Sequence, residues 1–164
     1  MIIEIIEDHL DKDSLNHITP NIGARGVFFL DGKLCILHYE KTHRYTLPGG
    51  GVEENESLED AIKREVLEET GYEVISFKPT VTLKEYFKDS IWHHHYFYCE
   101  VNPKAKGQSL TKEELDHKLN VTFKTLDEAI DIFAFQESDN RYQSNINKRE
   151  LLGLMHSLPE DESL

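Results

Sequence analysis

The order of apolar and polar residues indicates extended structure in the first third of the chain. Two apolar-rich runs, 24–30 and 34–39, are separated by Asp31, Gly32 and a lysine. An Asp-Gly pair between such runs is a strong signal for a β-hairpin. Residues 45–47 are predicted as a further short strand, which ends at a proline and three successive glycines. This part of the chain is therefore predicted to contribute strands to a sheet.

Between Ser57 and Thr70 the pattern becomes that of an amphipathic helix. Apolar residues recur at spacings of three, four or five with charged residues between them, and they are Leu58, Ala61, Ile62, Val66 and Leu67. Gly71 follows as the expected cap of the carboxyl end. Ser57 with Asp60 resembles a capping box in which Asp replaces Glu. The pattern therefore predicts one well-bounded helix.

The remaining strands and helices are predicted in the same way, from apolar-rich runs and from helical spacing of apolar residues. Strands are expected over 74–77, 81–87, 91–101 and 119–125, and helices over 126–135 and 141–158. The polar stretch 102–111 contains proline and glycine and is predicted as a loop. Strands interleaved with helices, after an early hairpin, indicate an α/β protein with a mixed sheet that helices cover.

The length of 164 residues suits a single domain, so one domain over 1–164 is predicted, with 159–164 as a frayed tail. The apolar opening 1–6 is interrupted by Glu4, is too short to span a membrane and lacks the features of a signal peptide. A cytoplasmic protein with no membrane partner is therefore expected. The isoleucine-rich opening and the C-terminal helix leave a homodimer open.

The formal net charge of −13 argues against polymeric nucleic acid as a partner, because such binding rests on basic residues that neutralise phosphates. A small ligand that carries phosphate must therefore be held by local features. Cys35 and Cys99 lie in predicted strands without closely spaced partners, so buried free thiols are expected. Of the successive histidines His93, His94 and His95, only the first and last share a strand face, which does not make a zinc site; one or two are candidates to line a ligand pocket.

Three glutamates of the predicted helix share one face. At about 100° per residue, Glu65 and Glu69 lie about 40° apart, and Glu68 lies about 60° to the other side of Glu65. Like charges at these spacings destabilise an isolated helix by a few tenths of a kcal/mol per pair. Carboxylate oxygens are hard ligands that suit Mg²⁺ or Mn²⁺. The face is either an ordinary solvated surface or, with a cation among the carboxylates, a site for an anionic diphosphate.

The stretch from Gly50 to Tyr72 favours the second interpretation. It reads Gly-x5-Glu-x7-Arg-Glu-Val-x-Glu-Glu-x-Gly-Tyr, which resembles the Nudix box at every fixed position. The preceding Leu-Pro-Gly segment, 47–49, also resembles the loop that this family places before the box. The resemblance implies an αβα sandwich with a mixed sheet. It further implies a metal-dependent hydrolase that cleaves a phosphoanhydride bond in a small molecule such as a nucleoside triphosphate, a nucleotide sugar or ADP-ribose.

The resemblance also implies a role for each matching residue. Glu65, Glu68 and Glu69 would be the catalytic, metal-binding carboxylates for Mg²⁺ or Mn²⁺. Glu65 would be the base that orients or deprotonates water. The carbonyl of Gly49 would be a further metal ligand.

Four other box residues would have structural roles. Arg64 would pair with Glu56 and so hold the loop against the helix. Gly50 and Gly71 would adopt backbone conformations that other residues resist. These residues would support the site without taking part in the chemistry.

Members of the family often add a carboxylate from a loop beyond the box. Glu114 is the preferred candidate in this chain, with Glu113 and Glu100 as the others. The stretch 112–118 also fits an exposed, charged helical turn with no part in the site. Glu114 is therefore a predicted metal ligand with that alternative open.

Three basic residues near the box are candidates to bind substrate phosphate, namely Arg25, His43 and Arg44. An arginine side chain can contact a phosphate through two nitrogens at once. Arg25 lies in a strand of the early hairpin, where resembling enzymes often use a basic residue. For each of the three, a surface charge without a ligand is the alternative.

Two other functions remain open within the family. A domain that only senses a nucleotide commonly lacks some box carboxylates, whereas this chain keeps all of them. A prenyl diphosphate isomerase needs protonating residues, typically Cys and Glu, and nothing near Cys35 or Cys99 marks either thiol as reactive. Motifs that would specify one diphosphate substrate have no clear counterpart outside the box.

Overall fold

The computed structural model describes residues 1–137 and 141–160, without the side chains of residues 141 and 142. Most of the predicted frayed tail, 161–164, lies outside the described residues. The strands are β1 (Ile2–Ile6), β2 (Asn21–Val27), β3 (Phe29–Leu30), β4 (Lys33–Tyr39), β5 (Arg44–Thr46), β6 (Gly49–Gly51), β7 (Val74–Phe87), β8 (Ser90–Val101) and β9 (Leu119–Lys124). The α-helices are α1 (Leu58–Thr70), α2 (Lys112–Asp116), α3 (Leu126–Phe135) and α4 (Arg141–Met155), and a short 3-10 helix covers Lys12–Leu15.

The predicted mixed sheet is confirmed. Five strands form one sheet in the order β1-β7-β8-β2-β6, in which β1 is parallel to β7 and β2 is parallel to β8, while the other pairs are antiparallel. A second sheet is built around β4, which pairs antiparallel with β3, β5 and β9. The predicted Asp-Gly hairpin joins β3 to β4, with positive φ angles at Asp31 and Gly32.

Helix α1 has the boundaries that its caps predict. The Ser57 hydroxyl accepts a hydrogen bond from the Asp60 backbone N–H at 3.0 Å, and Gly71 ends the helix at a φ of 77°. The Asp60 carboxylate contacts the Ser57 hydroxyl at 2.9 Å. Ser57 therefore caps the helix through its own hydroxyl.

The polar loop 102–111 closes the carboxyl end of α1. The backbone N–H groups of Lys106 and Ser109 donate to the carbonyls of Gly71 and Glu68, both at 2.7 Å. The Gln108 side chain donates to the Glu69 carbonyl, also at 2.7 Å. Carbonyls that a helix leaves unpaired at its end are thus satisfied by this loop. The loop therefore holds the carboxylate-bearing end of α1 in place.

Three segments differ from the sequence-based prediction. The opening isoleucine run forms β1, which binds along β7 in the sheet of its own chain. The glycines 49–51, expected only to stop a strand, are themselves a strand, β6, that pairs with β2. The strands predicted over 74–77 and 81–87 are one long strand, β7, with an irregularity in register between Pro79 and Thr82. Pairing between distant strands outweighs local sequence preference in each case.

The core has two main parts, one on each side of the five-stranded sheet. Helix α1 covers one face, where Ala61, Ile62 and Val66 are fully buried. Helices α3 and α4 pack on the other part through residues such as Phe133 and Leu154. Among the described residues, no helix combines the length and apolar character needed to cross a membrane.

Candidate active site

Glu65 lies directly over Gly50. A Cβ atom at Gly50 would be 2.6 Å from the Glu65 Oε1, so a larger residue there would displace the carboxylate. Gly50 does not have a positive φ, which corrects the prediction that it adopts a backbone conformation other residues resist. The residue is small because Glu65 occupies the space. Gly49, in contrast, has a φ of 141° and lies so close to β2 that a Cβ would be 2.2 Å from the Ala24 carbonyl oxygen.

Glu69 is buried beside Glu65. Its side chain accepts a hydrogen bond from the Gly49 backbone N–H at 2.7 Å, and the residue is 3% exposed. Burial raises the pKa of Glu69 well above its usual value, and the negative charge of Glu65 raises the pKa further. Within the described part of the chain, Glu69 has no ion pair. The Gly49–Gly50 segment is therefore in contact with two carboxylates from one helix.

Arg64 links the carboxylates on the outer side of the helix. It contacts Glu56 at 2.7 Å, which is the expected ion pair, and donates to the Gly51 carbonyl at 3.0 Å. The same guanidinium contacts Glu65 at 2.8 Å and Glu68 at 3.2 Å. Arg64 therefore fixes both ends of the loop and orients two of the predicted metal ligands.

The arrangement of the carboxylates meets some of the requirements of a divalent-cation site, but not all of them. Glu69 is a buried carboxylate beside the like charge of Glu65, which the positive charge of Arg25 offsets only in part, and a cation would stabilise it in this environment. However, in residues 1–137 and 141–160 no three His, Cys, Asp or Glu side chains converge as a complete metal site. Arg64 instead contacts Glu65 and Glu68, so a cation bound there would compete with the guanidinium for their oxygens.

Arg25 holds the loop before the box. Its Nη1 donates to the carbonyls of Leu47 and Gly49, each at 3.2 Å. The Gly49 carbonyl, a predicted metal ligand, thus already accepts a hydrogen bond, while the Gly49 amide donates to Glu69. Arg25 therefore positions the segment that carries the candidate site.

Arg44 lies in the same pocket as Arg25, whereas His43 does not. The Arg44 guanidinium lies 6.0 Å from the centre of the Tyr39 ring and donates to the Gln143 side chain. His43 is exposed, has a positive φ of 54°, and lines a neighbouring surface cavity that Arg44 also borders. The structure therefore brings together two of the three predicted phosphate-binding residues.

Glu114 is the first-choice candidate beyond the box, and it lies near the site. It is part of α2, where its carboxylate accepts from the Thr111 N–H at 2.7 Å in a capping box. Its negative charge contributes to the raised pKa of Glu69. Glu113 is exposed, and Glu100 binds the Ser76 hydroxyl at 2.6 Å. Of the three, Glu114 is the one with an electrostatic link to the box.

A pocket with a volume of about 200 Å³ opens beside Gly49–Gly51. Three arginines line it, which is notable in a chain with a net charge of −13. They are Arg25, Arg44 and Arg149. Glu85, Trp92 and His94 contribute to the wall from β7 and β8. The overall negative charge is therefore locally reversed where a phosphate would meet the protein.

A network of buried charges lies behind this pocket. Arg149 contacts Glu150 at 2.6 Å and Glu85 at 3.2 Å, and His94 contacts Glu85 at 3.0 Å. The second oxygen of Glu150 accepts from the Leu47 backbone N–H at 2.6 Å. Helix α4 is thereby joined to the loop that precedes the box. The sequence-based interpretation predicted this helix and left open a role for it in a homodimer, but it missed the connection to the loop.

Breaks in two apolar patterns are the signals that reveal these charges. On β7, Leu83 and Glu85 face the same side and are 0% and 1% exposed, so a carboxylate takes the place of a core residue. On α4, Ile146, Glu150 and Leu154 are four residues apart, and all three are buried. A charged residue within such a stripe indicates a buried partner from elsewhere in the chain.

His94 and His95, two of the three successive histidines, occupy different environments. His94 is 3% exposed and points into the protein, where its ring stacks on that of Trp92 at 5.3 Å. His95 contacts the Thr82 hydroxyl at 3.1 Å, on the other face of β8. Trp92 and His94 line the pocket beside the box, so the histidine that was expected to point away from its neighbours is the one at the candidate site.

The two cysteines are buried and free, as expected. Burial raises the pKa of both thiols, and that of Cys99 rises to about 12. Because the thiolate is the reactive form, we expect no fast-reacting thiol in the native protein at pH 8 and two in the denatured chain, measured with a chromogenic disulfide reagent. Rapid labelling of Cys35 or Cys99 in the native protein would contradict this and restore the isomerase alternative.

The architecture and the loop–helix segment define an αβα-sandwich protein whose candidate site is built from one helix, one glycine strand and a basic pocket. The chain belongs to the NUDIX family, because the NUDIX domain model matches residues 20–144. The matched region includes the whole stretch from Gly50 to Tyr72. The resemblance seen in the box is therefore confirmed over most of the chain.

Individual relatives agree with this assignment. The chain is similar to the RNA pyrophosphohydrolase of Bartonella henselae, with 35% identity over 79 residues, which are 46% of this chain and 41% of that protein. It spans less than half the length of the curated relatives it matches. A NUDIX hydrolase from Nitrosomonas europaea has a TM-score of 0.57 at 19% identity, with 89% of this chain and 97% of that chain covered. A UDP-X diphosphatase structure has a TM-score of 0.58 at 18% identity, with 88% and 70% covered. The two structural likenesses show the shared fold.

Proposed function

We propose that the protein is a hydrolase that uses Mg²⁺ or Mn²⁺ to cleave a phosphoanhydride bond in a small molecule linked to a nucleoside diphosphate. The observation that carries this proposal is the pair of carboxylates at the glycine strand. Glu69 is buried against the Gly49 amide, and Glu65 lies over Gly50. A cation there would offset the repulsion between the two carboxylates and attract an anionic diphosphate to the same point.

In this proposal, one set of residues binds the metal and another set binds the substrate. Glu65, Glu68 and Glu69 would hold the metal, with the Gly49 carbonyl and Glu114 as further ligands. When bound, the metal polarises the phosphoryl oxygens and neutralises the charge that develops on them. Glu65 accepts a proton from the water that attacks phosphorus.

The arginines of the pocket support phosphate binding. Arg25 and Arg44 face the same space beside the glycine strand, where they can meet the oxygens of the diphosphate. His43, which lies outside this pocket, is proposed only as a residue that a longer substrate reaches. The two guanidiniums would bind the phosphates from one side and the metal-binding carboxylates from the other. The scissile bond would then be oriented between the arginines and the carboxylates.

The nature of the substrate is proposed from the relative and from the charge. The Bartonella henselae relative is named for pyrophosphate hydrolysis, which supports an anhydride as the bond that is cleaved. Its RNA substrate does not suit this chain, because a net charge of −13 repels a polyanion. Damaged nucleoside triphosphates, nucleotide sugars and ADP-ribose are the proposed classes, in that order.

A substrate panel tests the proposal. We expect phosphate, pyrophosphate or nucleotide release from at least one member of these classes with Mg²⁺ or Mn²⁺, and complete loss of release with EDTA. Circular dichroism with EDTA serves as the control that the fold is retained. Turnover that persists in EDTA would refute the metal role. Nucleotide binding by calorimetry without any turnover would instead favour a sensing domain.

A further inference from the structure

Several polar atoms around the pocket beside Gly49–Gly51 have no partner. Among the described residues, Arg25 Nε, Arg44 Nε and Glu85 Oε1 are buried without a hydrogen bond. His94 Nδ1 is also unpartnered, but it faces the backbone, because a Cβ at Gly23 would be 2.6 Å from it. Buried polar groups without partners are rare in proteins, so each one requires an explanation. All four belong to residues that line one pocket.

Glu85 is the acidic side chain among these lining residues. It is 1% exposed, and its Oε2 is occupied by the His94 Nε2 at 3.0 Å and the Arg149 Nη1 at 3.2 Å. These two contacts hold the carboxylate in one orientation and leave Oε1 as a free acceptor. An ionised carboxylate attracts a hydrogen-bond donor and repels a phosphate oxygen. The Glu85 side of the pocket therefore suits the part of a ligand that carries no phosphate.

The shape of the pocket narrows the class of ligand. Tyr39 and Trp92 are among its lining residues, and the stacked Trp92 and His94 rings are 5° from parallel. Flat aromatic surfaces suit a planar heterocycle. The volume of about 200 Å³ is below the range of roughly 300–1,000 Å³ that holds a whole drug-sized ligand. One ring system at the end of a longer molecule is the group that fits.

We propose that this pocket binds the nucleobase of the substrate and that Glu85 selects the base by accepting a hydrogen bond from its N–H at Oε1. The inference rests on the proposed function, since it leaves the phosphates outside the ring-sized space, at the partly exposed Arg25 and Arg44, while the base enters toward the buried Glu85. Trp92 and Tyr39 provide the surfaces against which the base lies. Arg149 is a positioning residue, because it acts by holding the Glu85 carboxylate.

Calorimetric binding of hydrolysis products tests the inference without turnover. The four common nucleoside 5′-monophosphates and ribose 5-phosphate, which has no base, are titrated with Mg²⁺ into the wild type, Glu85→Gln and Glu150→Gln. Adenosine and purine riboside 5′-monophosphates, which differ by the amino group, form a further pair. Gln at position 85 can keep its oxygen toward Arg149, which turns the amide N–H₂ into the pocket and replaces an acceptor by a donor.

We expect the wild type to bind its best monophosphate at least about tenfold more tightly than ribose 5-phosphate, and Glu85→Gln to remove most of that preference while leaving ribose 5-phosphate binding unchanged. Glu150→Gln is the matched control. Glu150 is a buried partner of the same arginine but does not line the pocket. It should change the binding of both ligands by the same factor.

Equal binding of a monophosphate and ribose 5-phosphate by the wild type would overturn the inference, whether or not the variants fold. An equal loss for both ligands in Glu85→Gln would also overturn it and would assign the contact to a sugar hydroxyl. A nucleobase preference in a protein that hydrolyses no anhydride would refute the proposed function but would support the assignment of the base pocket. The two proposals therefore fail separately.

Discussion

Replacement of Glu65 by Gln is expected to lower kcat by about 10²–10⁴-fold while the protein remains folded. Gln keeps the size of the side chain over Gly50 but cannot accept a proton from water. The side chain is 12% exposed and lies between Arg64 and the glycine strand, so no other carboxylate can readily take its position. Steady-state phosphate release at saturating Mg²⁺, together with the melting temperature, measures the effect.

The matched control is Glu59→Gln, an exposed glutamate in the first turn of the same helix. We expect it to leave kcat at the wild-type value because Glu59 lies away from the glycine strand. A Glu65 variant with wild-type kcat would exclude this residue as the base. A loss of activity accompanied by an equal loss of folded protein would reduce its role to a structural one.

Replacement of Arg149 by Met is expected to lower the free energy of unfolding by about 3–5 kcal/mol. Met fills much of the same volume, but it leaves Glu85 and Glu150 buried without their counter-charge, and these residues are 1% and 0% exposed. Glu150 also holds the Leu47 amide, so the loop before the box loses its anchor on α4. Urea denaturation at pH 7 measures the change.

An exposed ion pair provides the control for charge removal. Lys12 contacts Glu4 at 2.8 Å, and the two side chains are 41% and 37% exposed. Solvent screens such a pair, so Lys12→Met should have little effect on the denaturation midpoint. Equal destabilisation by Lys12→Met and Arg149→Met would show that burial of the Arg149 network does not explain its contribution to the free energy of unfolding.

Stability and site geometry are linked through α4. The Gln136 side chain at the end of α3 contacts both backbone groups of Tyr45, and Glu150 binds the amide of Leu47 two residues later. Side chains thus satisfy the outer edge of β5, where a neighbouring strand would otherwise bind. The segment that leads to Gly49 is therefore held by residues about a hundred positions away in the chain.

Much of the fold follows from local sequence signals. The caps Ser57 and Gly71 set the bounds of α1, and the Asp-Gly turn sets the β3–β4 hairpin. Helix α3 begins and ends where its pattern predicts, because Thr125 and Glu128 form a capping box at its start. These features depend on residues within a few positions of each other, so a sequence window contains all of the relevant information.

The pairing of strands that are far apart in the chain could not be predicted from such local signals. The parallel pairing of β1 with β7 joins residues about 80 positions apart, and the glycine strand β6 exists because β2 lies beside it. Glycine has little preference for strands, so nothing local predicts β6. A Cβ at Gly49 would collide with β2, which is a reason for glycine that only the packing reveals.

The family, the helix that carries Glu65, Glu68 and Glu69, and the Arg64–Glu56 pair can all be predicted from the sequence, because they lie in one contiguous stretch with fixed spacing. In contrast, the position of the carboxylates relative to Arg25 and Arg44, and the contact of Glu85 with Arg149 beside them, are visible only in the folded protein. Those contacts join strands and a helix that are far apart in the chain, and their geometry depends on how the sheets and α4 pack.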